Sequence, residues 1–66
     1  MKLYELKRHT KFRILEDTQI PPGAPPVDGD TVYTFDHIDG MYSLCIDEEE
    51  RIVHISASAE VEPITP

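Results

Sequence analysis

Residues 31–56, TVYTFDHIDGMYSLCIDEEERIVHIS, alternate apolar and polar side chains in three short runs divided by two polar connections. Alternation with a period of two marks half-buried strands, so this stretch predicts a three-stranded antiparallel meander. In the first run Tyr33 and Phe35 share a face, in the second Tyr42, Leu44 and Ile46, and in the third Val53 and Ile55. These side chains are the expected core. Thr34, Ser43 and His54 fall on the opposite faces, together with Val32, Met41, Cys45 and Ile52. The apolar character of those last four predicts partial burial on both sides, beneath a loop or at an association surface.

The two connections differ in kind. Residues 37–40, HIDG, place Asp39-Gly40 where a tight hairpin needs positive φ angles. Residues 47–51, DEEER, put consecutive glutamates between two strands, an arrangement suited only to a solvated tip.

Upstream, KFRIL alternates Phe12 and Ile14 with Lys11 and Arg13, which predicts a first strand. The preceding LYELKRHT fits either a short helical turn or an extended segment, and the extended reading is preferred, with Leu3 and Leu6 anchored in the core. Residues 19–30, QIPPGAPPVDGD, are too rich in proline and glycine for a helix or a central strand. They predict an ordered loop near polyproline II geometry, packed down through Ile20 and Val27. PPGAPP could also serve a partner's aromatic groove as a ligand, but its place between two strands of one domain favours the plain loop. After Ser56 the small residues of ASASAEVEPIT suit a single 3₁₀ turn, followed by a short last strand anchored by Val61 and Ile64 and kept at an edge by Pro63.

With 66 residues the chain is expected to form one domain, residues 1–66, whose core buries about 60% of the unfolded surface. Its 39% apolar content is enough for it to fold alone. Cys45 is the single cysteine, so no intramolecular disulfide can form, and a cytoplasmic setting is expected. The basic N-terminal stretch reaches no apolar run, which predicts neither a signal peptide nor a transmembrane helix.

Charge is unevenly spread. Residues 1–13 hold five Lys and Arg against Glu5, a net +4, whereas from residue 14 onward Arg51 stands alone against twelve carboxylates, a net −11. A surface of that sign is repelled by nucleic-acid phosphates, so no nucleic-acid partner is expected. Within the fold the basic first strand can lie beside acidic neighbours as cross-strand pairs.

RIVHISASAEVEPI has the order of the closing segment of SH3-like barrels: a strand, a small-residue 3₁₀ turn, then a short strand of Val-Glu type. The long loop before the meander falls where those barrels carry their RT-type loop. The chain therefore resembles an all-β, small SH3-like barrel of about five strands, with a proline-rich RT-type loop and a 3₁₀ turn before the last strand. Polyproline recognition does not follow from the resemblance, because the chain has no tryptophan and only Lys2-Leu3-Tyr4-Glu5-Leu6 where an ALYDY stretch would stand. IDGMYSLCID, the IVHI strand and the VEP ending also resemble small uncharacterised proteins encoded by bacteriophages and prophages, a likeness that implies a host cytoplasm and no catalytic residues.

Candidate chemistry is sparse. Asp36, His37 and Asp39, with His54 or Cys45, offer metal-ligating groups without the spacing of a zinc motif, and Asp28, Asp30, Asp36 and Asp39 lack the order of an EF-hand loop. Cys45 and His54 could meet on adjacent strands as a thiolate–imidazole pair, but a buried structural cysteine is the preferred reading. Among the tyrosines, Tyr42 is expected in the core and at least one of Tyr4 and Tyr33 at the surface. No catalytic residue, cofactor or metal is expected. The expected function is that of a non-enzymatic acidic protein-interaction module, with a modulator of a host protein as its phage-borne form; the alternative is a structural protein assembling as a small homo-oligomer. The candidate surface is the outer face around Tyr33, His37, Met41 and His54 with the acidic turn of Glu48, Glu49 and Glu50.

Overall fold

The computed structural model describes residues 1–15, 22–24 and 26–64. Among these residues five antiparallel strands form a single sheet: β1 (Lys11–Ile14), β2 (Tyr33–Asp39), β3 (Tyr42–Ile46), β4 (Ile52–Ser56) and β5 (Val61–Pro63). Their spatial order is β4-β3-β2-β1-β5, so the meander runs side by side and β5 returns to flank β1. β4 and β5 are not paired with each other, and the sheet is open between them. It still wraps around one core, because buried residues from all five strands belong to a single cluster with Leu3, Leu6 and Ala59.

The N-terminal segment corrects one expectation. Leu3–Glu5 forms a 3₁₀ turn and not a strand. Leu3 is fully buried, as anticipated, and its N–H donates to the Ala59 carbonyl at 2.9 Å while the Tyr4 N–H donates to that of Ala57 at 3.0 Å. With its backbone tied to the segment after β4 and Leu3 and Leu6 both inward, the chain gains more from a tight turn than from adding a strand that alternates only once.

β1 pairs with β2 through Lys11↔Thr34 and Phe12↔Tyr33, and with β5 through Phe12↔Pro63, Arg13↔Glu62 and Ile14↔Val61. The rings of Phe12 and Tyr33 lie with centroids 5.9 Å apart and tilted, which fills the middle of the core. Between β1 and β2, Val27 packs against the core, as anticipated, and the Asp28 N–H donates to the Tyr33 hydroxyl at 2.8 Å. Ile20, the other anchor expected for this loop, lies outside the described residues.

The second strand of the meander faces the opposite way from the expectation. On β3 the buried residues are Ser43 and Cys45, while Tyr42, Leu44 and Ile46 are half-buried on the outer face. Register explains the reversal: Cys45 pairs with Phe35 on one side and Val53 on the other, and Ser43 with Ile55, so its inward face is set by neighbours already committed to the core. Small side chains are what fits there, beside Phe35 and in the core shared with Phe12 and Tyr33. Ser43 is fully buried without an orphaned group, because its hydroxyl donates to the Ile55 carbonyl at 2.9 Å. That bond uses the only hydroxyl proton, so the 3.2 Å contact with Cys45 Sγ has the thiol as donor.

Both hairpin turns depart from simple expectation in detail. The strand continues through His37, Ile38 and Asp39, and the loop is Gly40-Met41, closed by the pair Asp39↔Tyr42. Gly40 has φ +66° and Met41 is not in the positive-φ region, the pattern of a type II′ turn. The β3–β4 connection is a turn closed by Glu50 N–H to Asp47 O at 3.1 Å and Asp47 N–H to Arg51 O at 3.0 Å, with Glu50 at φ +64° where glycine is usual. Glu50→Gly is therefore expected to raise stability by about 0.5–1 kcal/mol, because relief of the left-handed strain exceeds the entropy that glycine adds to the unfolded chain. Thermal melting of the two proteins checks it, and an unchanged or lower Tm would show that the turn is not strained.

After β4, an N–H from Ala59 returns to the Ser56 carbonyl at 3.0 Å, a single 3₁₀-type turn in the place expected for one. Val61 is buried and Ile64 half-buried, and β5 lies at an edge as Pro63 requires. No helix among the described residues is long and apolar enough to cross a membrane.

Candidate interaction surface

The outer face of β2, β3 and β4 gathers more of the chain's recognition chemistry than any other described region. Cross-strand pairs place Ile46 beside Thr34 and Ile52, Leu44 beside His37 and His54, and Tyr42 beside Asp39 and Ser56. Tyr42, Leu44 and Ile46 thus form a half-buried apolar stripe down β3, extended by Ile52, which is 55% exposed, and rimmed by two imidazoles. Met41 closes one end at the hairpin tip with 80% exposure.

A β-bulge makes this alignment. Phe35 pairs with Cys45 and His37 with Leu44, so Asp36 is the extra residue on β2. Its carboxylate accepts from Arg8 Nε at 2.8 Å and from His37 Nδ1 at 2.9 Å. The hydrogen bond from Arg8, aided by that from His37, holds the Asp36 carboxyl below its usual range. Across the stripe, His54 donates from Nδ1 to the Ser43 carbonyl at 3.3 Å, which orients its ring on the face.

At the other end of the stripe stands the acidic turn. Glu48, Glu49 and Glu50 are exposed, as anticipated for this connection, and Asp47 organises it. Asp47 Oδ1 accepts the N–H groups of Glu49 and Arg51, each at 2.9 Å, and Oδ2 accepts from Arg51 Nε at 3.0 Å. The backbone donor of Arg51, ahead of that of Glu49, keeps the Asp47 carboxyl low. Arg51 also reaches Glu49 at 3.0 Å, so one guanidinium offsets part of the charge of four neighbouring carboxylates. A shallow cleft of about 260 Å³ opens between this turn and the segment before β2, lined by Asp28, Thr31, Asp47, Glu48 and Arg51.

The basic N-terminal segment is matched to acidic neighbours within the fold. Lys2 Nζ meets Glu60 at 2.8 Å, Arg8 meets Asp36, and Arg13 stands opposite Glu62 across the β1–β5 pair. The hydrogen bond from Lys2 holds the Glu60 carboxyl below its usual range.

The expected surface residues therefore divide. His37, Met41 and His54 lie along the outer face, and Glu48, Glu49 and Glu50 at its end. Tyr33 does not join them: it is 2% exposed and belongs to the core, while Tyr4 is the tyrosine at the surface, 57% exposed. Tyr42, expected in the core because alternation puts it on one face with Leu44 and Ile46, instead lies with them on the outer face. The clue to this exchange was in the small side chains Ser43 and Cys45, which leave room for large ones across the core.

Cys45 and His54 cannot act together, since Cys45 pairs with Val53 on the inner face and His54 with Leu44 on the outer one. Desolvation pushes the Cys45 thiol up to about 11, so it stays protonated near neutrality. Among the described residues, no three His, Cys, Asp or Glu side chains converge to hold a metal ion.

No protein-family model, curated protein or solved structure matches the chain.

Proposed function

We propose that the chain is a non-enzymatic, acidic protein-interaction module on an SH3-like scaffold. The strand order β4-β3-β2-β1-β5 and the 3₁₀-type turn before β5 support the SH3-like reading. One observation carries the functional reading: a half-buried apolar stripe of Tyr42, Leu44 and Ile46 on the outer sheet face, ending at the exposed Glu48, Glu49 and Glu50. Apolar area supplies the attraction, and the acidic end selects basic partners and repels nucleic acid. The resemblance to phage-encoded proteins makes a host protein the partner and the host cytoplasm the setting.

The test is affinity capture from bacterial lysate at low salt, with the native chain and a folded Leu44→Lys variant as baits. A discrete basic protein held by the first and lost by the second is the expected result. Failure of the native chain to hold any protein above background would remove the reading. A self-assembling structural role is the second reading, favoured by the exposed Ile52 on edge strand β4. Light scattering at high concentration decides it, since a strictly monomeric mass excludes assembly.

A further inference from the structure

The two edges of the sheet are built differently. β5 is three residues long and ends in Pro63, and the residue before it, Glu60, is bridged to Lys2, devices that blunt an edge against further pairing. β4 runs for five residues in unbroken register, contains neither proline nor lysine, and among the described residues pairs only with β3.

The antiparallel pattern fixes where its backbone groups point. Asp47 N–H donates to Arg51 O and Ala57 N–H to Met41 O, both at 3.0 Å, which makes the pairs flanking β4 hydrogen-bonded ones. By alternation Val53 and Ile55 also direct their groups to β3, and Ile52, His54 and Ser56 turn theirs to the open side. The Ser56 carbonyl is taken by Ala59 N–H. Among the described residues, the N–H and C=O of Ile52 and of His54 and the N–H of Ser56 are left without a partner, a ladder ready for another strand. These three residues also carry their side chains on the outer face, beside the apolar stripe.

Charge decides between occupants. Exposed Glu48, Glu49 and Glu50 stand at the N-terminal end of this edge, and the chain carries a net −7. A second copy would bring the same net charge to the edge and be opposed by it, whereas a segment bearing Lys or Arg would gain at the turn. We propose that β4 receives an added strand from a partner protein: an extended segment whose alternate apolar residues continue the outer face and whose Lys or Arg residues lie against Glu48–Glu50. This rests on the interaction-module reading and adds to it the mode of docking and the chemistry of the partner.

The test selects a display library of random dodecapeptides on the full chain, then titrates the best peptide into the isotope-labelled protein. Peptides that alternate apolar and polar residues and carry Lys or Arg at one end are expected, with the amide signals of Ile52, His54 and Ser56 shifting most. Glu48→Gln with Glu50→Gln should weaken binding about two- to tenfold, and added salt should act in the same direction. His54→Pro removes the central donor and should abolish binding; if it does not fold, Ile52→Lys, at an exposed site, carries the test by blunting the edge and repelling the basic end. No enrichment, enrichment without basic residues, or shifts confined to the β5 side would each overturn the proposal. So would sedimentation that finds a dimer which Ile52→Lys converts to monomer. In all of these cases, lysate capture lost with Leu44→Lys would leave the interaction-module reading standing on another mode of contact.

Discussion

Phe12→Ala is expected to abolish stable folding near room temperature. Phe12 is fully buried, takes part in both pairings of β1, and packs its ring against that of Tyr33 at the centre of the core. Truncating a buried phenylalanine costs about 3–5 kcal/mol through lost transfer energy and the cavity left behind. A domain of this length has a total stability of about 3–10 kcal/mol on per-residue averages, and it has no disulfide to hold the chain if the core loosens. Urea unfolding followed by circular dichroism should show a loss of at least about 3 kcal/mol or no folded baseline. A loss below about 1 kcal/mol would mean that neighbouring side chains refill the site and that Phe12 is not its keystone.

The second large effect is a contrast between neighbours. Cys45→Asp is expected to prevent folding, whereas Leu44→Asp is expected to leave a folded protein weakened by about 1–2 kcal/mol. Cys45 is fully buried among Phe35, Val53 and the rest of the core, so a carboxylate there meets several kcal/mol of desolvation, with no basic partner on the inner face among the described residues. Leu44 lies half-buried between His37 and His54, where a carboxylate stays partly hydrated and its cost is mainly the apolar contact it gives up. Two-dimensional amide spectra separate the outcomes: collapsed dispersion for the first variant and near-native dispersion for the second. The opposite result would put β3 in the other register.

That contrast also marks where sequence reading succeeded and where it ran out. The meander was legible because Tyr33 and Phe35, and Val53 and Ile55, alternate with polar residues, and both connecting turns carry their own signals in Gly40 and the glutamates. In YSLCI neither face is polar throughout, and alternation pointed to the three-residue face of Tyr42, Leu44 and Ile46 as core. The choice was made by β2 and β4, whose inward faces meet β3 at Ser43 and Cys45, and strand pairing is a property of the folded sheet and not of any one run. The bulge at Asp36 has no local signature either, since aspartate there looks like any outward strand residue until Arg8 approaches from another part of the chain. The outer face was accordingly half legible: the surface positions of His37, Met41, His54 and the acidic turn could be named, while the apolar stripe beside them could not.

The return of β5 to β1 has a kinetic consequence. β2, β3 and β4 are joined by tight hairpins, so their pairings close short loops and are available early. The pair Phe12↔Pro63 closes a loop of about fifty residues, and its entropy cost is recovered only once the meander and the β1–β2 pair offer a surface for β5 to settle on. Loop-closure entropy thus orders the assembly from the middle outward. During synthesis Phe12 must wait for Val61–Pro63 to leave the ribosome before its strand has both neighbours, so the core closes about fifty residues after its central ring is made.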